Sequence, residues 1–293
     1  MKAYLFPGQG SQFPGMGNEL YKTKEGKKLF EKANNILGFD ISKVMFDGTK
    51  EDLKKTNITQ PAIFIHSVVL SKLLKNSFKP DMVAGHSLGE FSALTAIKSI
   101  SFEDGLMLVN IRAKAMQNAC NYERGSMAAV LGMEDKLVED ICSETPGIVV
   151  AANYNCPGQI VISGQSIAVE KACENLKKNG AKRTLILPVG GAFHSPLMDL
   201  AKSELEKAIN LINIKKPICP IYQNIFSLPE REPRSIKNNI ISQLTAPVRW
   251  TSIIKNMIKD GAQDFTEIGP GNVLQGLCKK ISSNYETFSA SII

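Results

Sequence analysis

The sequence predicts an α/β protein whose mostly parallel sheet is interrupted by a small inserted unit. Short apolar runs typical of buried strands alternate with longer helical patterns in residues 1–124 and 190–293. Residues 125–189 instead give the order strand, helix, strand, strand, helix, strand, which is ferredoxin-like. The chain has 293 residues, 43% of them apolar, so it can bury a sizeable core. We therefore expect a large α/β domain over residues 1–124 and 190–293, and a small subdomain over residues 125–189.

The first predicted element is a strand over residues 3–6 that runs into the glycine-rich turn P-G-Q-G. Such a turn exposes backbone N–H groups, which can bind an oxyanion or a phosphate. A dinucleotide site is the competing interpretation. It fails in detail, because the pattern G-x-G-x-x-G requires a third glycine where Phe13 stands.

The next informative stretch is V-A-G-H-S-L-G-E-F, residues 83–91. An apolar run over residues 82–84 predicts a buried strand, and residues 88–97 have a helical pattern, so Ser87 lies where strand gives way to helix. Gly85 and Gly89 flank it at the G-x-S-x-G spacing of a nucleophile on a tight turn. The alternative is an ordinary loop serine, since this short pattern also arises by chance.

A helix is predicted to begin after Ser101, whose spacing to Asp104 is that of a capping box. Arg112 falls in the middle of its apolar stripe. A buried arginine is costly unless an anion pairs with it. The anion is either a substrate carboxylate or a buried carboxylate of this chain, and the nearby turn at Ser87 favours the substrate.

The inserted unit is predicted from periodicity alone. Its strands are expected over residues 127–131, 148–152, 159–163 and 184–189, and its helices over residues 134–143 and 166–179. Because the chain leaves the large domain and returns to it, a cleft should form between the two units, and ligands often bind in such clefts.

A nucleophilic serine needs a base, and the sequence contains three histidines. His86 should point away from Ser87 at a tight turn, and His66 lies in a helical stretch over residues 61–74. His194 follows the return of the chain to the large domain, which places it at the predicted cleft. A surface loop histidine is the alternative for His194.

Composition excludes several classes of protein. The net charge of +7 favours an acidic or phosphorylated partner, although it also serves solubility. The lysine runs lack interleaved aromatic residues, so we expect no nucleic acid partner. No apolar run approaches a bilayer span, and the N-terminal apolar stretch is too short for a secretory signal, so we expect a cytoplasmic protein that does not bind a membrane. Six scattered cysteines without a C-x-x-C pair indicate reduced thiols and no metal site.

These segments together resemble the malonyl-CoA:acyl carrier protein transacylases and the related acyltransferase domains of polyketide synthases. The resemblance covers nearly the whole chain, in the family's order. It rests on F-P-G-Q-G-S-Q at 6–12, G-H-S-L-G-E at 85–90, Arg112, N-Y-N-C-P-G-Q at 153–159, A-F-H-S-P-L-M at 192–198, Q-L-T-A-P-V-R-W at 243–250 and E-I-G-P-G at 267–271. It implies a hydrolase-like α/β core with a ferredoxin-like insertion.

The resemblance also implies a role for each matching residue. Ser87 resembles the nucleophile, and His194 resembles the base. Gln9 and Leu88 correspond to the backbone N–H donors of an oxyanion hole. Arg112 and Phe193 match substrate-binding positions, the first as a clamp for the malonyl carboxylate and the second as a bulky ring that limits branching. Gln243 corresponds to the residue whose main-chain carbonyl orients the histidine, so no acidic third member is expected.

The implied reaction is ping-pong transfer of malonyl from malonyl-CoA to the phosphopantetheine thiol of an acidic acyl carrier protein, in the service of fatty acid synthesis. We expect no metal or other cofactor, and a monomer. Gly191 departs from the H-A-F-H string of many polyketide acyltransferases, which favours the stand-alone fatty-acid type. A stand-alone polyketide acyltransferase, a serine hydrolase or thioesterase and an inactive carrier-binding scaffold are the alternatives.

Overall fold

In a computed structural model, residues 1–292 are described, and they form two β-sheets with helices packed around them. The strands are β1 Lys2–Phe6, β2 Met82–Gly85, β3 Gly125–Leu131, β4 Val149–Cys156, β5 Gln159–Gln165, β6 Arg183–Ile186, β7 Ile221–Tyr222, β8 Pro229–Glu230, β9 Asp264–Glu267 and β10 Glu286–Ser289. The helices are α1 Asn18–Tyr21, α2 Lys24–Leu37, α3 Ile41–Asp47, α4 Lys50–Lys54, α5 Thr56–Leu73, α6 Gly89–Ala96, α7 Phe102–Tyr122, α8 Asp135–Glu144, α9 Ser166–Lys178, α10 Asp199–Leu211, α11 Pro233–Ser242, α12 Trp250–Lys259 and α13 Val273–Ile281.

The larger sheet has the strand order β10-β9-β1-β2-β7-β8. Its neighbouring strands are parallel except for β8, which runs antiparallel to β7 at the edge. Side chains of β1 alternate between two cores: Tyr4 and Phe6 pack with α5 and α7, whereas Ala3 and Leu5 pack with α12 and α13. Burial on both faces explains why these strands read as continuous apolar runs. The predicted α/β class with a mostly parallel sheet is confirmed.

The smaller sheet is fully antiparallel and has the strand order β4-β5-β3-β6. Helices α8 and α9 cover one face, where Ala128 and Val130 of β3 are buried. On the other face, Met127 joins the core of the larger unit. Edge strand β4 pairs with Val248 through hydrogen bonds at Ala152 and Tyr154, so the segment before α12 is fixed to this sheet.

Three predicted boundaries were wrong. The strand expected over residues 148–152 continues to Cys156, because two register shifts let it stay paired with β5. The strand expected over residues 184–189 ends at Ile186, because Leu187 and Val189 turn to line a cavity beside Ser87. The helix expected over residues 61–74 begins at Thr56, so Pro61 lies inside it. Its first turn escaped prediction because Thr59 and Gln60, two polar residues, are buried.

The turn between β2 and α6 requires two glycines because the backbones approach closely there. A Cβ on Gly85 would lie 2.0 Å from the backbone of Gly89. A Cβ on Gly89 would lie 2.0 Å from the carbonyl oxygen of Phe6 in β1. The two glycines therefore let α6 start directly against β1 and β2, with Ser87 at the turn between them.

The structure also describes the cysteines and the lengths of the helices. The six cysteines at 120, 142, 156, 173, 219 and 278 are free thiols. In residues 1–292, none of the helices is both long enough and apolar enough to cross a membrane.

Gly89→Ala should destabilise the fold, whereas Gly276→Ala should not. The added methyl at 89 forces the backbone of β1 and α6 apart, which should cost about 3 kcal/mol of unfolding free energy. Gly276 lies on the exposed side of α13, where a Cβ meets nothing within 4 Å, so alanine there should stabilise by up to about 1 kcal/mol. Urea unfolding of both variants measures the difference, and equal stability would contradict the close packing at the turn.

Candidate active site

The turn after β2 holds Ser87 in a strained conformation that exposes its hydroxyl. Ser87 has a φ of 52°, in the left-handed region that residues with a side chain rarely adopt. Its N–H donates to Asn224 Oδ1 at 2.7 Å, and its carbonyl accepts from Gln243 Nε2 at 3.0 Å. The strained residue is therefore supported on both sides by side-chain amides from distant parts of the chain.

His194 is the histidine that reaches Ser87. It lies on the loop between β6 and α10, and its Nε2 is 2.8 Å from Ser87 Oγ. Its Nδ1 lies 3.0 Å from the carbonyl oxygen of Gln243 and 3.1 Å from that of Ala246. Since carbonyls only accept, Nδ1 carries the ring proton, which leaves Nε2 as the acceptor facing the serine hydroxyl.

The imidazole of His194 is held in its neutral form. Burial lowers its pKa to about 3, and the positive charge of Arg112 contributes to the lowering. A neutral imidazole whose unprotonated nitrogen faces a hydroxyl is ready to accept a proton near pH 7. Ser87 and His194 therefore have the geometry and protonation states of a nucleophile and its base.

Arg112 is buried, as the apolar stripe of α7 predicted, with 1% of its surface exposed. Its guanidinium donates to Gln60 Oε1 at 2.7 Å, to Ser87 Oγ at 3.0 Å and to Gln243 Oε1 at 3.2 Å. These acceptors are neutral. Throughout residues 1–292, no carboxylate forms an ion pair with Arg112 within 4.0 Å. Among the described residues, Arg112 therefore does not pair directly with a carboxylate of this chain, which was the alternative to a substrate carboxylate.

Two N–H groups of the Arg112 guanidinium have no partner in the described chain. Arginine has five N–H donors, and the three hydrogen bonds at Arg112 use three of them. Nε is buried without a partner. A buried cation with unused donors beside a nucleophile is suited to bind an anionic group of a ligand.

A cavity of about 210 Å³ opens at these three residues. Six of the predicted site residues line it, namely Gln9, Ser87, Leu88, Arg112, Phe193 and His194. Gln243 lies behind the imidazole and contacts it from outside the cavity. The structure thus brings all seven predicted site residues to one place.

The backbone N–H groups of Gln9 and Leu88 are free of hydrogen bonds to other groups in the described part of the chain. Gln9 lies on the glycine-rich turn after β1, and Leu88 lies at the N-terminus of α6. Both residues line the cavity beside Ser87. Unused N–H donors near a nucleophile suit an oxyanion hole.

Sequence reasoning missed three residues that hold the site. Asn224 binds the backbone of Ser87 and donates to the carbonyl of Gly85 at 2.7 Å. Gln60 binds Arg112, and the buried carboxyl group of Glu90 accepts from the Asn224 backbone and from Gln243. Glu90 stood inside the quoted G-H-S-L-G-E motif, but no local pattern marks Asn224 or Gln60.

The other two histidines do not contact Ser87. His86 turns away from it and bonds Asn155 Oδ1 at 2.9 Å through Nε2, with its ring against Trp250. His66 is buried in α5, and its Nδ1 has no partner among the described residues. Burial lowers the pKa of His66 to about 4.

Residues 3–292 match the family model described as acyl transferase domain. The chain is 44% identical over 294 residues to a malonyl CoA-acyl carrier protein transacylase of Bacillus subtilis (strain 168), covering 99% of this chain and 93% of the relative. An acyl carrier protein S-malonyltransferase of Vibrio cholerae has a similar structure, with a TM-score of 0.96 at 38% identity, covering 100% of this chain and 97% of that one. A malonyl-transacylase solved in complex with its type II PKS acyl-carrier protein has a TM-score of 0.94 at 35% identity, covering 98% of this chain and 95% of that one.

The buried His66 should make the fold sensitive to acid. In the unfolded chain a histidine binds a proton below about pH 6.5, whereas His66 in the folded protein does so only below about pH 4. The unfolded state thus binds the extra proton between these values, and stability is lost as pH falls. Relative to wild type, His66→Leu should gain roughly 3 kcal/mol of unfolding free energy between pH 7 and pH 4.

Denaturant unfolding at each pH measures this difference, with Lys72→Gln on the exposed end of the same helix as the control. A constant difference between wild type and His66→Leu across this pH range would show that His66 is not held neutral.

Proposed function

We propose that this chain, which belongs to the acyl transferase family, transfers a malonyl group from malonyl-CoA to the phosphopantetheine thiol of an acyl carrier protein. The observation that carries the proposal is the contact of Ser87 Oγ with both His194 Nε2, at 2.8 Å, and Arg112 Nη2, at 3.0 Å. One contact supplies a base for the nucleophile, and the other supplies a cation for a charged acyl group. The names of the relatives support the same reaction.

Arg112 accounts for the choice of a malonyl group. Malonyl differs from acetyl by a carboxylate, and a guanidinium binds a carboxylate through charge-assisted hydrogen bonds. In the free protein Arg112 is anchored by neutral acceptors, so a substrate carboxylate can bind it without displacing an anion. Phe193 lines the same cavity and is 7% exposed, which suits a ring that limits substituents at the α-carbon.

The first half of the reaction acylates Ser87. His194 Nε2 accepts the serine proton as Oγ bonds to the thioester carbonyl carbon, and the carbonyl oxygen becomes an oxyanion. The N–H groups of Gln9 and Leu88 are placed to stabilise this oxyanion, each contributing about 3 kcal/mol by analogy with comparable sites. When the tetrahedral intermediate collapses, the C–S bond breaks and the CoA sulfur leaves with the proton from His194.

The charge that develops during this step favours proton transfer to His194. Burial and Arg112 disfavour an imidazolium in the free protein, which is why the pKa of His194 is low. The oxyanion that forms beside the ring supplies the missing negative charge, so the imidazolium is stabilised in the transition state more than in the ground state.

The second half reverses these steps with a different thiol. The carrier's phosphopantetheine thiol gives its proton to His194, its sulfur bonds to the malonyl carbonyl carbon, and Ser87 leaves as the C–O bond breaks. His194 then returns the proton to Ser87 Oγ. Each proton that His194 accepts is returned within the cycle, and we propose that the reaction needs no metal or other cofactor.

We assign the acyl carrier protein to fatty acid synthesis, with a stand-alone polyketide acyltransferase as the second candidate. Gly191 stands where many polyketide acyltransferases have histidine, and a Cβ at 191 would lie 2.0 Å from Cys120 Sγ. The net charge of +7 suits an acidic carrier and a phosphorylated substrate. We propose that the protein acts in the cytoplasm, which such partners support, and that it acts as a monomer.

We propose a hydrolase-like core, residues 1–124 and 190–293, with a ferredoxin-like subdomain, residues 125–189. The antiparallel order β4-β5-β3-β6 within a βαββαβ chain supports the second part. The first part is supported by the parallel sheet that carries Ser87 between β2 and α6. The cavity is lined from both units, by residues such as Ser87 and Met127.

Acylation of Ser87 tests the proposal. Incubated with malonyl-CoA and no acceptor, the protein should gain one malonyl group, which peptide mass spectrometry should map to Ser87. Adding a phosphopantetheinylated acyl carrier protein should then move the group to the carrier. Ser87→Ala should gain none, and Ser195→Ala, a nearby buried serine outside the cavity, serves as the matched control.

Two results would favour the other classes of protein. Rapid release of free malonate would indicate a hydrolase or thioesterase, since water would then be the acceptor. Absence of any adduct on a folded protein would indicate a carrier-binding scaffold without catalysis.

A further inference from the structure

Glu90, a buried carboxyl group near the nucleophile, has no part in the proposed reaction steps. It lies in the first turn of α6 and is fully buried. Its Oε1 accepts from the backbone N–H of Asn224, and its Oε2 accepts from Gln243 Nε2 at 2.7 Å. Burial raises the pKa of Glu90 to about 8, and these two donors and the charge of Arg112 oppose the rise. Because both of its hydrogen-bond partners are N–H donors, the contacts of Glu90 are those of the ionised carboxylate. Removing an acid from water costs free energy even when each of its oxygens accepts a hydrogen bond, which indicates that Glu90 has a specific role.

Glu90 and the carbonyl of Ser87, two acceptors, together fix which way the Gln243 amide points. The amide has a donating end and an accepting end, and either end fits the same volume. Gln243 Nε2 faces Glu90 and the carbonyl of Ser87, while Oε1 faces Arg112 at 3.2 Å. A carboxylate at 90 accepts only, so it holds the donating end and leaves the accepting end for the guanidinium.

The same arrangement keeps a negative charge close to Arg112 without direct contact. Glu90 and Arg112 interact electrostatically, yet the Gln243 amide separates them. A carboxylate in direct contact would offset the burial of the guanidinium but would occupy the donors that a ligand needs. One amide between the two charges retains part of the stabilisation and leaves those donors accessible.

We propose that Glu90 is a positioning residue that orients the Gln243 amide and thereby aims Arg112 at the carboxylate of the acyl group. This inference rests on the proposed function, because it assigns Arg112 to a malonyl carboxylate. Glu90 acts through Gln243 and does not touch the substrate. Selectivity for a charged acyl group should then depend on Glu90, whereas acylation by a neutral group should depend on it much less.

Single-turnover acylation of Ser87 by malonyl-CoA and by acetyl-CoA tests this inference, with half-saturating concentration and maximum rate measured for each. Glu90→Gln places an amide N–H opposite either the backbone N–H of Asn224 or the side-chain NH2 of Gln243. If the Gln243 amide then flips, its own NH2 faces Arg112. The half-saturating concentration for malonyl-CoA should rise about tenfold or more, approaching that of Arg112→Ala. The maximum rate, and both values for acetyl-CoA, should change by less than about threefold.

Glu90→Asp keeps an acceptor-only group and should recover part of the malonyl affinity. Glu267→Gln is the matched control, since Glu267 is also a buried carboxyl group, and it caps α13 through the N–H groups of Leu274 and Gln275. That variant should lower the melting temperature and leave the ratio of malonyl to acetyl acylation unchanged.

The double variant Glu90→Gln/Gln243→Glu separates orientation from folding. It restores a donor opposite an acceptor between positions 90 and 243, so it should regain part of the stability that the single variant loses, while the carbonyl of Ser87 loses its donor from Gln243. Its carboxylate now contacts Arg112 directly, so malonyl affinity should stay low.

Parallel losses for both acyl groups in Glu90→Gln, with a lowered melting temperature, would overturn the inference and give Glu90 a purely structural role. Recovery of malonyl affinity in the double variant would also overturn it. If wild type itself fails to acylate Ser87, the proposed function fails instead.

Discussion

The site depends on Gln243, a residue whose three polar groups each hold a different part of it. Its backbone carbonyl accepts from His194 Nδ1, its Oε1 accepts from Arg112, and its Nε2 donates to the carbonyl of Ser87. A single short helical turn after α11 therefore sets the tautomer of the base, the position of the cation and the backbone of the nucleophile. Because these contacts are shared, a shift of Gln243 would disturb all three residues together.

Backbone strain and buried ionisable groups at the site lower the stability of the protein, and packing in the rest of the fold offsets this loss. Ser87 and His194 both have left-handed backbone conformations, with φ of 52° and 59°, each costing on the order of 1–2 kcal/mol. Arg112 and Glu90 are ionisable groups removed from water, and neither is in direct contact with the other. The continuous cores on both faces of the larger sheet supply the stability that holds these groups in place. The result is a preorganised site in which charges and donors are fixed before a substrate enters.

Local pattern predicted much of this arrangement, and its limits have physical causes. The G-x-S-x-G spacing indicated Ser87, the position after the insertion indicated His194, and a charge in an apolar stripe indicated Arg112. The family resemblance added the carbonyl of Gln243. The side-chain contacts of Gln243 could not be predicted, because it meets Arg112 from 131 residues away in sequence. Asn224 likewise lies 137 residues from Ser87. Hydrogen bonds between side chains so far apart in sequence produce no periodic pattern. The start of α5 was missed for a related reason, because buried polar residues such as Gln60 do not continue its apolar pattern.

The central claim is that burial and Arg112 hold His194 neutral, while backbone carbonyls, and no carboxylate, keep its proton on Nδ1. Nitrogen-15 NMR of the His194 ring, assigned with a His194→Gln variant, tests it most directly. The account predicts a neutral ring from pH 7 down to about pH 5, with Nδ1 protonated and Nε2 bare, since burial and Arg112 lower the pKa to about 3. A proton on Nε2, or an imidazolium already formed at pH 6–7, would contradict it.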